Sequence, residues 1–95
     1  MPRLADDEIA DRLRGLPGWS REGDGIAKTF RFPTFMDAIR FVNRVAECAE
    51  AANHHPDIDI RYRRVRLSLT THDEGGITEK DIVLAKRVES LVAGS

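Results

Sequence analysis

The sequence is poor in cysteine, with Cys48 alone among 95 residues. That excludes an internal disulfide and the thiolate clusters that build most structural zinc sites. Long apolar runs are missing too: nothing approaches the ~20 residues needed to span a bilayer. The opening stretch MPRLADDEIADRL is acidic and amphipathic, without the apolar core of a signal peptide. Charge of one sign is not in excess, since 15 Lys and Arg face 16 Asp and Glu. A net charge of −1 gives no general attraction to nucleic acid or anionic membranes. A cytoplasmic protein is expected. Histidine is also scarce, and two of its three copies, His54 and His55, are adjacent.

With 41% hydrophobic and 33% charged residues, the composition is that of an ordinary globular chain. Residues 1–95 are long enough for one core and too short for two, and no repeat or linker divides them. Ile9, Leu13 and Leu16 recur at helical spacing behind a run of acids, and GLPGW then breaks the helix. WSREGDGIAKTFRF reads as a hairpin turning at Gly23 to Gly25. Thr34 caps the longest helix, whose expected apolar stripe is Phe35, Ala38, Ile39, Val42, Val45, Ala46, Ala49 and Ala52. Phe41 and Cys48 fall off that stripe, while Phe30, Phe32, Phe35 and Phe41 read most simply as core, or Phe41 as a helix–helix contact. Because His55 precedes Pro56, the helix should end near Asn53 or His54.

Ile58, Ile60 and Tyr62 alternate with Asp59 and Arg61, as in a strand with one buried face. A reversal near Arg63 and Arg64 leads to a strand carrying Val65, Leu67 and Leu69. HDEGG is a loop, and Thr78 caps a last helix whose Ile77 and Ile82 can form a hydrophobic staple. Ile82, Leu84, Ala85, Val88 and Leu91 or Val92 make its apolar side. The order α-β-β-α-β-β-α predicts an α+β domain, a four-stranded antiparallel sheet with helices packed on one face. Edge strands and a small core predict self-association.

If the last two strands are antiparallel neighbours, HHP and THD meet at their far ends and all three histidines converge on one rim. A helix continuing to His54 would put Glu50 one turn away, where a carboxylate could hold the imidazole in one tautomer. Zinc is the rival reading, with Glu50 or Asp81 joining the histidines. Adjacent histidines diverge, however, and the chain has no His-x-His or His-x₃-His spacing. A nucleophilic triad is disfavoured because Cys48 lies away from the rim and Ser68 faces outward. RYRRVR is the one basic cluster; its alternation turns Arg61 and Arg66 outward beside Asp57 and Asp59, so a solvated or partner-facing sheet surface is expected there rather than a nucleic-acid site.

These residues resemble the pterin carbinolamine dehydratase family. The family pattern is an acidic or similar residue, three positions, His-His-Pro, an aromatic after five more, a histidine after nine and an aspartate after about eight. Here it reads Glu50, His54-His55-Pro56, Tyr62, His72 and Asp81 without a gap. LPGWS and LSLTTHDEGGITEKDIVLAKRVE resemble the family's N-terminal turn and its closing strand, loop and helix, so the likeness spans nearly the whole chain. Asn53 stands where relatives often carry aspartate; both side chains can hydrogen-bond a pterin ring.

The resemblance implies elimination of water from a 4a-hydroxytetrahydropterin to give quinonoid dihydropterin, with no metal and no cofactor. It makes His54 the main acid/base, gives His72 a share of the proton transfers and has His55 position the ring. Glu50 would orient His54. Glu50, Asn53, Pro56, Thr71, Asp73, Glu74 and Asp81 would surround the substrate. Expected partners are the small pterin, further copies of the chain as a homodimer or homotetramer, and a pterin-dependent aromatic amino acid hydroxylase in the same pathway. The competing role is that of a dimerisation cofactor for a transcription factor.

Overall fold

The computed structural model describes residues 2–93. Its elements follow the expected order: α1 (Asp6–Arg14), β1 (Ser20–Glu22), β2 (Gly25–Arg31), α2 (Phe35–Ala52), β3 (Asp57–Arg61), β4 (Arg64–Leu69) and α3 (Glu79–Ala93). Local chemistry starts each helix. Glu8 Oε1 reaches back to the Ala5 N–H at 3.0 Å, and Thr34 Oγ1 accepts from the Asp37 N–H at 3.0 Å. The antiparallel sheet runs β1-β2-β4-β3. At the first reversal Gly23 takes a left-handed φ of 58°, and Gly25, in β2, lies so close to the Leu69 carbonyl oxygen that a Cβ would approach it to 2.7 Å.

Burial on β4 alternates, so Val65, Leu67 and Leu69 face the core with Ile26 and Phe30 of β2. Against them pack Ala38, Phe41 and Val45 of α2 and Ile82, Ala85 and Val88 of α3. Ile9, Leu16 and Trp19 join the same core. Lys28 sits on the inner face between Ile26 and Phe30, which would be costly without a partner. Its Nζ donates to the Pro17 carbonyl at 2.8 Å and to both Glu89 oxygens at 2.9 Å, while Trp19 Nε1 donates to Glu89 Oε2 at 3.1 Å. This pins α3 to the first hairpin. The other face carries polar groups such as Thr29, Arg64 and Arg66, and Arg66 pairs there with Glu22.

Three expectations need correction. On α2 the buried positions are Ala38, Phe41, Val45 and Ala49, with Cys48 packed beside them, while Phe35, Ala46 and Ala52 are exposed. Phe41, though off the expected stripe, is core as the phenylalanine set implied, its ring centroid 4.8 Å from Phe30 and 4.9 Å from Phe32, whereas Phe35 is not. Apolar residues occupy two adjoining faces of α2, and turning the large ring inward removes the most apolar surface from water. Second, β3 has no buried face. Ile58 and Ile60 share the inner side with Leu67 and Val65, yet at the sheet edge each stays 38% exposed. Third, the last reversal falls on Tyr62 and Arg63, with Tyr62 at φ 53° rather than in the strand. The Tyr62 ring stacks on Phe35 at 6.4 Å, and Arg63 lies 5.3 Å above its centre. On α3, Leu91 is half-buried and Val92 is exposed.

Candidate active site

The end of α2 sets the site. Asn53 takes a left-handed conformation (φ 50°), its N–H bonding the Glu50 carbonyl at 3.2 Å. The His54 N–H returns to the Ala49 carbonyl at 3.1 Å. Together these close a Schellman motif, and asparagine is the side chain after glycine that tolerates its left-handed residue. The chain leaves the helix one residue earlier than a continuous turn to His54 would need, and His54 swings away from Glu50.

Its partner comes from α3. His54 Nε2 lies 2.5 Å from Asp81 Oδ1, with the His54 side chain 11% exposed and that of Asp81 fully buried. Asp81 stands in the first turn of α3, where its Oδ2 accepts from the Thr78 N–H at 2.9 Å. Thr78 Oγ1 in turn accepts from the Lys80 N–H at 3.2 Å, so Thr78 caps the helix while Asp81 reaches back to the cap N–H. Thr71 Oγ1 adds a bond to Asp81 Oδ2 at 2.9 Å. Glu50 pairs instead with His55 Nε2, out in solvent. The expected Glu50–His54 contact is thus replaced by Glu50–His55 and Asp81–His54. Asp81 carries no exposed surface and meets anything outside through His54.

His72 follows Thr71 directly and opens a short 3₁₀ turn, His72–Glu74, closed by Gly75 at φ 71°. Thr71 and Gly76 exchange backbone bonds of 2.9 and 3.3 Å across the loop. The β3–β4 register pairs Asp57 with Ser68, so Pro56 and Thr70 leave the sheet at the same end. Through the Thr71–Asp81–His54 contacts, the loop bearing His72 and the segment bearing His54 and His55 lie at one rim. His55, His72 and Asp73 are exposed there, and Pro56 and Glu74 are half-buried.

His54 also lines a recess of about 190 Å³ with Ala52, Glu79, Lys80, Val83, Leu84 and Arg87. Sequence reasoning missed Lys80, Val83 and Arg87. Their spacing along α3 was the available signal, and it reads equally well as a solvated helix face. A larger recess of about 610 Å³, between the N-terminal segment and residues 75–77, contains none of the histidines. Among the described residues no group of three or more His, Cys, Asp or Glu could hold a metal ion.

The sequence that builds this fold matches a described family. The family model for pterin 4 alpha carbinolamine dehydratase covers residues 2–91. The chain belongs to that family. A protein from Thermomicrobium roseum, provisionally named a pterin-4-alpha-carbinolamine dehydratase, is 56% identical over 93 residues, which is 98% of this chain and all of that one. One from Chloroflexus aurantiacus under the same provisional name is 58% identical over 92 residues, 97% of this chain and 99% of its own. A crystal structure from Brucella melitensis, titled a transcriptional coactivator/pterin dehydratase, superposes with a TM-score of 0.90 at 37% identity, covering 93% of this chain and 96% of that one. A pterin dehydratase-like protein described as a RuBisCO assembly factor in the alpha-carboxysome shares the fold at a TM-score of 0.65 and 22% identity, covering 77% of this chain and 84% of its own.

Proposed function

We propose that this protein eliminates water from a 4a-hydroxytetrahydropterin, with His54 as the principal proton-transfer group. The observation that carries the reading is the 2.5 Å contact between His54 Nε2 and the buried Asp81 carboxylate. It holds one imidazole rigidly at a rim that two further histidines share.

The chemistry requires two proton movements. A base takes the proton from N5, the released electron pair forms the C4a=N5 double bond, and the C4a–O bond breaks. An acid protonates the departing oxygen, so that water leaves and quinonoid dihydropterin remains. Neutral His54 is the base, and the Asp81 carboxylate faces the positive charge that the ring then acquires. His72 delivers the proton to oxygen, and His55, braced by Glu50, positions the pterin. Imidazoles can do both jobs near neutral pH, so the step needs no metal or redox cofactor. Asn53, Pro56 and the 71–74 segment edge the heterocycle. The upstream enzyme is a pterin-dependent aromatic amino acid hydroxylase, which forms the carbinolamine on turnover.

The working unit is an oligomer of this chain. Phe35, Met36, Ile58, Ile60 and Tyr62 are exposed around the open edge of β3. An antiparallel β3–β3 pairing centred on Ile60 would set Asp59 against Arg61 of a second copy and Ile60 against its own counterpart. The two symmetric Asp59–Arg61 pairs of opposite charge favour this register.

The test is the decay of 4a-hydroxytetrahydropterin by stopped-flow, with the spontaneous rate subtracted. Acceleration by the purified chain supports the reading. A folded protein that leaves the spontaneous rate unchanged would sink it and favour the interaction-only role.

A further inference from the structure

We propose that Thr78 is a positioning residue as well as a helix cap. A one-way chain of hydrogen bonds from Thr78 through Thr71 and Asp81 fixes His54 as its Nε2–H tautomer and makes Nδ1 the nitrogen that exchanges protons with substrate. The kinetic part of this rests on the dehydratase reading above; the tautomer itself does not.

The direction of each bond is dictated by the groups that cannot reverse. The Lys80 N–H can only donate, and it donates to Thr78 Oγ1 at 3.2 Å. The Thr71 hydroxyl has one proton and the Asp81 carboxylate can only accept it, so across the buried 2.8 Å contact the Thr78 hydroxyl is the donor to Thr71 Oγ1. Thr71, having accepted, donates its own proton to Asp81 Oδ2 at 2.9 Å. The Thr78 N–H, another obligate donor, reaches the same oxygen at 2.9 Å. Oδ2 is thereby filled by two donors, and an ionised carboxylate is an acceptor only. Oδ1 therefore accepts from Nε2–H at 2.5 Å. Which ring nitrogen of a histidine carries its proton is set by the bond the other makes, so Nδ1 keeps its lone pair. Among the described residues Nδ1 has no hydrogen-bond partner. The neutral ring presents a base there rather than a donor.

A cap alone would explain why Thr78 is buried and why its backbone N–H meets Asp81. It would not require the Thr78 hydroxyl to pass its proton inward. Two substitutions separate the roles. Thr78→Val deletes the hydroxyl and keeps the backbone bond, while Thr78→Ser restores the hydroxyl. Asp81→Asn is sharper. Because the oxygen of the new amide must stay at the Oδ2 position to meet two donors, its NH₂ must face His54. Nε2 then has to accept, which drives the ring proton to Nδ1.

The experiment is ¹⁵N-histidine NMR of the full chain at about pH 8–9, where an ordinary imidazole is neutral, joined to steady-state kinetics and a thermal melt for each variant. The expected wild-type spectrum has the His54 proton on Nε2, and Asp81→Asn moves it to Nδ1. Thr78→Val should lower kcat about 10-fold with KM within about 2-fold, and Thr78→Ser should recover it. Asp81→Asn should lose on the order of 10²–10⁴ in kcat, the scale of a wrong tautomer. A wild-type proton on Nδ1, an unchanged tautomer in folded Asp81→Asn, or full kcat in folded Thr78→Val would overturn the proposal. If the spectra behave as expected while the wild type shows no turnover, the tautomer lock stands and the dehydratase reading falls.

Discussion

His54 and Asp81 are 27 positions apart in sequence, and their side chains meet at 2.5 Å. One belongs to the segment leaving α2 and the other to the first turn of α3, so the contact joins the site to the packing of two helices. The two residues should fail differently. His54→Ala should lower kcat/KM by roughly 10²–10⁴-fold while the urea midpoint barely moves, since a rim imidazole contributes little to the core. Asp81→Ala should lose activity and also about 1–3 kcal/mol of stability, because the Thr71 hydroxyl and the Thr78 N–H keep no buried acceptor. Equal stability loss in both variants would show that the histidine is structural.

Asn53 is both a left-handed helix terminator and a proposed substrate contact, and Asn53→Gly separates the two. Glycine accepts φ near 50° without cost, so the fold and kcat should be kept within about 2-fold. If the amide touches the pterin, KM should rise several-fold. Asn53→Ala should instead cost about 1–2 kcal/mol through the left-handed backbone alone. An unchanged KM in Asn53→Gly would remove Asn53 from the binding set.

For the edge strand, Ile60→Arg sets two arginines against each other at the centre of the proposed β3–β3 pairing. Light scattering at micromolar concentration should report an oligomer for the wild type and a smaller species for the variant, still folded by circular dichroism. A wild-type monomer with full activity would refute the oligomeric unit.

Activity should survive dialysis against a strong chelator. His54 and His55 each give Nε2 to a different carboxylate, Asp81 and Glu50, and so do not converge on one ion. A stoichiometric metal that restores activity lost on chelation would overturn this.

Element order and the four-stranded antiparallel sheet were legible in the sequence because period, caps and turn residues are local signals. The orientation of α2 was not. Its apolar residues fill two neighbouring faces, and periodicity does not rank them; the bulk of Phe41 against Phe30 and Phe32 does. The partner of His54 was misread for a related reason. Glu50 four residues earlier is a sound inference only while the helix persists, and the left-handed turn at Asn53 ends it first. Asp81, although read as part of the site, could not be matched to His54, since nothing local in either segment encodes their approach. The exposure of Ile58 and Ile60 also escaped, because alternation identifies an apolar side without saying whether anything covers it.

The double duty of Asp81 has a consequence for how such a chain can change over generations. Its carboxylate starts α3 whether or not any reaction takes place, so loss of turnover does not release it. A duplicated copy freed from catalysis, and kept only for the surface it offers to other proteins, should shed His54 and His72 early and retain Thr78 and Asp81. In such a copy the aspartate would be a relic of chemistry preserved by architecture, and its presence alone would be no sign that the copy still works as an enzyme.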